Sequence, residues 1–447
     1  MAREIIYQVL PRIWGNGKFS DWDGPVFDYL HSLGITAIWF TGIPRHASGK
    51  DFVKGNPGSP YAVSDWFDVN PYLADKEEDR MREFEQLVRR THKAGFKFIM
   101  DFVPNHVAKD NGQLPVFDHC DYDWTDTLKV NYGHPDTYPR MLEILRFWAA
   151  KGVDGFRCDM VEMVPCGFFA GIIPELKRDY PEIIFIGEAY NKDNYRPLID
   201  AGFDLLYDKS GSYDILRDIL CSGASARQLT WNWQWLSDIQ PHMLNFLENH
   251  DEQRLASPYF AGSAQKGIAA FAFSALFNTA SLMLYAGQEL GESAAEGAEG
   301  RTSIFDWCSP LSLRHLHAFI HSRKPLPSAE AATLERYRQI LTIASSSLCN
   351  EGSNYDLCWC NGPEQGFDPD RHFAFVRYSK GRAMLVFCNF SDSPAAVRLY
   401  LPEYLCSQLN AALLSADAVN DNAAAFEGHS IEIQAGAWDA ATLEITS

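Results

Sequence analysis

Long hydrophobic runs are missing from this chain. No stretch of its 447 residues approaches eighteen consecutive uncharged apolar positions, so no membrane-spanning helix is expected. Positive charge is scarce too. Lys and Arg number 39 against 58 Asp and Glu, a formal balance of −19 that repels phosphate backbones and anionic lipid. Nucleic acid and membrane surfaces are therefore not expected partners, and a neutral substrate suits the chain better. The ten cysteines, scattered from Cys120 to Cys406, form no Cys-x-x-Cys pair and no metal-ligand spacing. They read as small buried apolar residues in a reducing compartment. The opening "MAREIIYQVLPRIW" lacks a basic-then-apolar leader and runs straight into a strand, so the expected location is cytoplasmic. Internal repeats and low-complexity tracts are absent; "GESAAEGAEG" (291–300) is at most a loop.

What is present is an ordinary globular composition, 46% hydrophobic and 22% charged, long enough for more than one core. Aromatics are plentiful, with 12 Trp, 19 Tyr and 29 Phe. Most belong to cores, while a minority on loops can stack on the apolar C–H faces of sugar rings. Eight short apolar runs alternate with helical patterns: 4–10, 35–40, 96–102, 153–159, 183–188, 203–207, 242–248 and 280–287. Runs apolar on both faces belong to a buried parallel sheet. Between them, Met81, Phe84, Leu87, Val88 and Thr91 form one helical stripe, and Met141, Leu145, Trp148 and Ala149 another. Eight strands alternating with helices predict an α/β fold, a (β/α)8 TIM barrel, with a doubly wound open sheet as the alternative. A polar, aromatic-bearing stretch interrupts the pattern over 107–134. From about 365, alternating runs at 372–379, 383–391, 395–402 and 430–436 predict antiparallel β structure. The expected organisation is a barrel over 1–106 and 135–350, a short excursion domain over 107–134, and a C-terminal β-sandwich over 365–447.

In a parallel barrel the strand C-termini converge on one rim, where catalysis belongs. Strand three ends in Asp101, with Asn105 and His106 just beyond; strand four delivers Arg157 and Asp159; strand five presents Glu188. Strand seven, "FLENHDEQR", presents Asn249, His250, Asp251 and Arg254. Arg157 and Asp159 lie two apart and so share one face of their strand, while Cys158 between them points away. Burying two such charges costs heavily unless they are paired or used. Three carboxylates in one pocket repel each other, and at least one pKa rises. A raised carboxyl can protonate a leaving oxygen while an ionised neighbour attacks carbon, the machinery of glycoside hydrolysis. Arg157 is then expected to hold Asp159 ionised and oriented, and a third carboxylate to stabilise an oxocarbenium-like transition state.

At these residues the chain resembles a known family. "DFVPNH" (101–106), "GFRCD" (155–159), "GEAY" (187–190) and "FLENHD" (246–251) look, in that order, like the four motifs of the alpha-amylase family of glycoside hydrolases. "GITAIWFTGI" (34–43) and "SLMLYAGQELG" (281–291) look like its second and eighth strands, and "LKVNY" (128–132) falls where the family has an excursion-domain motif. The resemblance touches residues 3–307 at specific points, and four ordered motifs are a strong signal where one alone is weak. It implies Asp159 as nucleophile, Glu188 as acid/base and Asp251 as the third carboxylate. It implies that Arg157, His106 and His250 hold the sugar just before the cleaved bond and that Tyr61 stacks on it. Arg254, on the same rim, joins the substrate-binding candidates. No cofactor is required; Asn105 is the one candidate ligand for a structural calcium, which its counterpart binds in many relatives.

The chain also departs from that pattern. Where an alpha-amylase proper shows Ala and then a Lys-His pair after the nucleophile, this sequence has Met160, Glu162 and Met163. Shorter maltooligosaccharides thus become at least as suitable as long starch. The Asp-rich calcium loop of some relatives corresponds only to "GNGKFSDWDG" (15–24). Taken singly, each residue has a plainer reading: Asp101 as a structural cap or ion-pair partner, the histidines as satisfied core residues, Arg157 and Asp159 as a buried ion pair. Glu162 is a reserve carboxylate for the leaving-group side and Glu248 a packing residue. Trp231, Trp233 and Trp235 alternate as a strand or loop would, with core packing favoured over a sugar platform. The leading expectation is a retaining α-glucoside hydrolase acting on maltooligosaccharides or α-glucans. The alternatives are a transglycosylase on the same substrates and a catalytically silent sugar-binding relative.

Overall fold

The computed structural model describes residues 3–379, 382–409, 426–427 and 429–446. All eight apolar runs are strands: β1 (Ile5–Val9), β2 (Ala37–Phe40), β3 (Lys97–Phe102), β4 (Gly155–Cys158), β5 (Ile184–Gly187), β6 (Leu205–Tyr207), β7 (Met243–Asn245) and β8 (Ser281–Tyr285). They pair in parallel, each with its chain neighbours, and β1 closes the ring on β8 through Ile5↔Leu282 and Gln8↔Tyr285. The closed barrel settles the choice against an open sheet. Nearly every strand position is buried on both faces, which is why the runs read as continuously apolar rather than alternating.

The helical stripes fold as read. Helix Arg80–Lys93 buries Phe84, Leu87, Val88 and Thr91, and helix Thr137–Ala150 buries Met141, Leu145, Trp148 and Ala149. Phe84 meets both Phe98 of β3 and Trp148 edge-on at 5.6 and 5.3 Å, so the two helices and the barrel wall share one aromatic seam. Two antiparallel ribbons stand on the strand loops, Pro44–His46 with Val63–Val69 and His106–Ala108 with Thr127–Lys129. The second crosses the stretch read as an excursion.

The tail is antiparallel, as expected, but it starts earlier. Its four-stranded sheet runs Ser353–Asp356, His372–Ser379, Arg382–Asn389, Ala440–Thr446, so the first strand precedes residue 365. A second sheet joins Ala395–Tyr400, Ser430–Ala435 and Phe426–Glu427. The first sheet docks on the barrel where Phe373 packs edge-on against Phe273 and Phe277, both at 5.0 Å. The tryptophan triplet is corrected: 231–235 belong to helix Arg227–Trp235, not to a strand or loop. Positions 231 and 235 are one helical turn apart, and both side chains are exposed rather than packed in a core.

Candidate active site

β4 ends at Cys158, and Asp159 follows on the rim with Arg157 on the same side, as strand parity requires. Cys158 points into the core and is fully buried. The next residue, Met160, adopts a left-handed conformation with φ 44°. That turn aims its N–H at Glu188 Oε2, 2.8 Å away. Glu188 itself follows Gly187, where a Cβ would lie 2.7 Å from the Leu206 side chain and would make that leucine shift.

Arg157 is the hub. Its guanidinium is wholly buried, 2.7 Å from Asp159 Oδ1 and 2.7 Å from Glu188 Oε1, with Asp101 at 3.7 Å. Rings of Trp39, Tyr61 and Tyr207 surround it at 5.2 to 5.6 Å. Glu188 also accepts from the Tyr190 hydroxyl at 2.7 Å. On the other side His250 lies 3.0 Å from Asp251, stacks on Tyr61 at 5.0 Å and touches Gln8 of β1 through Nδ1 at 2.7 Å. Gln8 Oε1 has no partner as oriented; turning the amide would let it accept from a protonated Nδ1 and so fix His250 as a cation beside Asp251. Asp101 accepts from the Gly42 N–H and the Tyr61 hydroxyl, each at 3.1 Å, which makes it a brace for the rim.

Burial pushes Glu188 up to about 7, reinforced by Asp159 and Asp251 and only partly offset by Arg157. Asp159 is also raised: burial outweighs the pull of Arg157, so the arginine orients this carboxylate without holding it at the usual value. Asp251 goes the other way, because His250 overcomes its burial, and His250 is raised in turn by Asp251 against its own burial. The three carboxyls thus differ in proton affinity, the condition for dividing acid and base roles.

These groups line one hollow of about 200 Å³. Asp159, Glu188, Asp251, Tyr61 and His106 all reach it. His106 packs on Trp124 at 4.9 Å, and burial lowers its pKa to about 4. Arg157 lies directly behind the carboxylates. Arg254 does not reach the hollow: fully buried, it bonds Glu248 at 2.9 Å, the Ala286 carbonyl at 2.9 Å and the Thr302 hydroxyl at 2.9 Å. Its place among substrate-binding residues is therefore withdrawn; a buried guanidinium tied through Nε and Nη1 to three other segments is structural. Glu162 likewise holds a loop, accepting from the N–H groups of Tyr190 and Asn191 and from Asn194. A larger cavity of about 820 Å³ lies in the tail against Arg336 and Asp439, far in the chain from these carboxylates.

Sequence reasoning passed over Gln8, Tyr190, Tyr207 and Asp126. Gln8 carried a signal, one amide inside an otherwise apolar strand; the others sit in no periodic pattern. The surroundings of Asn105 do not fit a calcium ion. Calcium takes six to eight oxygens, yet Asn105 offers a single unpartnered one, Oδ1. The neighbouring carboxylate, Asp121, is already engaged by Lys129 Nζ at 2.9 Å and Asn105 Nδ2 at 2.9 Å. Among the described residues no group of three or more His, Cys, Asp or Glu could hold a metal.

Comparison with known proteins agrees with this geometry. Residues 15–120 match the family model for the alpha-amylase catalytic domain. The chain is 28% identical over 425 residues to alpha-amylase MalA of Haloarcula japonica, covering 88% of this chain and 56% of that protein. It is 27% identical over 211 residues to a human amino acid transporter heavy chain, SLC3A1, covering 36% of this chain and 29% of that one. The chain thus spans little more than half the length of the first of these relatives. The fold matches that of a noncanonic maltogenic alpha-amylase, AmyB from Thermotoga neapolitana, with TM-score 0.74, 20% identity and 99% of both chains covered. With the closed barrel and the ordered rim motifs, these matches make the chain similar in sequence and fold to proteins of the alpha-amylase family.

Proposed function

We propose that the protein is a retaining α-glucoside hydrolase that acts on maltooligosaccharides or α-glucans by double displacement. The observation that carries the reading is the single guanidinium of Arg157 lying 2.7 Å from both Asp159 and Glu188 at the floor of a sugar-sized hollow. Sharing one planar fork keeps the two carboxyls close. Retaining enzymes hold theirs about 5–5.5 Å apart, whereas inverting ones need about 6.5–9.5 Å to admit a water. Asp159 attacks the anomeric carbon as Glu188 gives its proton to the leaving oxygen; Glu188 then takes a proton from water, which releases the sugar. Asp251, kept ionised by His250, faces the positive charge that grows on the ring.

Measuring glucose and shortened oligosaccharides released from maltotriose by Asp159→Asn and Glu188→Gln tests the assignment. Turnover should fall by orders of magnitude with the melting temperature retained, and near-normal cleavage by either variant refutes it. Products at high maltotriose concentration separate hydrolysis from transfer, since longer oligosaccharides arise only if a sugar hydroxyl replaces water. A silent sugar-binding reading is favoured by one observation, the similarity to a transporter heavy chain. Sugar binding by calorimetry with no reducing ends after overnight incubation would establish it.

A further inference from the structure

We infer that the hollow accepts a single glucosyl unit and that the enzyme removes glucose one residue at a time from the non-reducing end. The inference rests on the glycosidase reading and adds to it the direction and size of the cut. At about 200 Å³ the space is smaller than the ~300–1,000 Å³ of sites for drug-sized ligands, and it suits one hexose ring rather than two.

The wall that limits it is built from three chain segments bonded to one another. The Phe305 carbonyl accepts from the Gly58 N–H at 3.0 Å, the Asn56 carbonyl from the Trp307 N–H at 2.7 Å, and Asp306 Oδ1 from the Asn56 N–H at 3.0 Å. The same 50–58 segment reaches across to the excursion, where Lys54 Nζ donates to the Asp123 carbonyl and Lys50 pairs with Asp110 at 2.6 Å. Lys54, Trp124 and Phe305, carried by these linked segments, line the hollow together. Backbone bonds, rather than exposed ion pairs alone, hold it.

Within that wall Asp126 is only 3% exposed, lines the hollow, and has an Oδ2 with no hydrogen-bond partner. A buried carboxylate oxygen left unpaired costs stability unless a ligand fills it. A terminal glucosyl supplies what it lacks: hydroxyl donors on a ring rim, including the 4-OH that is free only at a chain end. Glu188 protonates the oxygen on C1 of the bound ring, so the departing chain lies on the C1 side and the enclosed ring is the non-reducing terminus. In the reaction the C1–O bond of that ring breaks as the C1–Asp159 bond forms, and the Glu188 proton goes to the leaving oxygen. The chain, one unit shorter, departs with that proton; water, giving a proton to Glu188, then adds to C1 as the C1–Asp159 bond breaks, which frees glucose.

The test pairs p-nitrophenyl maltoheptaoside with the same compound blocked at its non-reducing 4- and 6-hydroxyls. The free compound should lose glucose stepwise, and the blocked one should react at least about 100-fold more slowly. Equal rates, or mid-length fragments appearing first from the free compound, would overturn the proposal. Opening the wall by Phe305→Ala should raise the rate on the blocked compound relative to the free one, and an unchanged ratio counts against the wall. Asp126→Ala should lower kcat/KM on the free compound by about 10–100-fold while the melting temperature holds or rises; unchanged kcat/KM removes Asp126 from recognition. Calorimetry on Glu188→Gln keeps pocket and chemistry distinguishable. Binding of the free heptaoside alone upholds the one-sugar pocket even if the wild type turns nothing over, whereas equal binding of both, or of neither, sinks it.

Discussion

The molecule buries two arginine–glutamate pairs at its barrel rim, Arg157 with Glu188 at 2.7 Å and Arg254 with Glu248 at 2.9 Å. Both arginines are fully enclosed, and burial pushes both glutamates up to about 7. By proton affinity alone they are indistinguishable. They differ in what surrounds the oxygens. Glu248 spends its carboxylate on Arg254 and on the Leu255 N–H at 2.7 Å, and does not line the hollow of Asp159 and Asp251. Glu188 borders open space shared with Asp159 and Asp251. A perturbed carboxyl marks a candidate site only when a ligand can reach it.

The largest effects should separate the pairs by activity. Asp159→Asn and Glu188→Gln should each lower kcat by about 10⁴-fold or more, the scale on which removal of a nucleophile or its proton partner acts. Glu248→Gln, assayed under conditions where it is folded, should stay within about threefold of wild type. A comparable loss in Glu248→Gln would erase the distinction. Stability should sort them in the opposite sense. Arg254→Met strands Glu248 in the core and should lower unfolding free energy by about 3–5 kcal/mol. Arg157→Met leaves carboxylates that border the hollow and can be reached by water, so its denaturation midpoint should fall less although its activity is lost.

The pH profile gives a smaller contrast. Glu188 works as an acid only while protonated, so kcat/KM should be high below about 7 and decline as pH rises through that value. Asp159 must be ionised, and its raised pKa moves the acid limb above the usual carboxylate range. Glu248→Gln should leave the basic limb in place. A limb that moves with Glu248 would reassign the titration.

Much of this was readable from residue order. Eight two-sided apolar runs became eight barrel strands because burial on both faces removes any need for alternation. Arg157, Asp159, Glu188 and Asp251 meet because their places at strand ends, not their spacing along the chain, determine proximity. Arg254 was misread for the same reason that helped the others. Being near the end of β7 puts it on the rim, but only the fold shows that its fork turns inward to Glu248 and Thr302. The tryptophans at 231 and 235 mislead because i,i+2 alternation in a short aromatic run suits a strand, while a helix turns it into an exposed i,i+4 face. Asp126 was beyond reach. It faces the hollow because the ribbon at Thr127–Lys129 folds back on His106–Ala108, a long-range pairing with no local signature.

The smallest expected effect concerns Lys129, three residues beyond Asp126 and opposite His106 in that ribbon. Its ammonium engages Asp121 Oδ1 while Asn105 Nδ2 engages Oδ2, so a fixed positive charge already sits where a cation would have to share that carboxylate. Adding an ion there would force Lys129 aside and gather oxygens the surroundings do not supply. Chelator or millimolar calcium should therefore shift the melting temperature by less than about 1 °C. Lys129→Ala should lower stability by about 1 kcal/mol, the scale of a partly exposed pair, and raise KM if the ribbon that carries His106 and Asp126 loosens. A clear melting shift on chelation, reversed by calcium, would show that the ribbon is pinned by metal rather than by its own lysine. The wall and the catalytic floor would then answer to different cations.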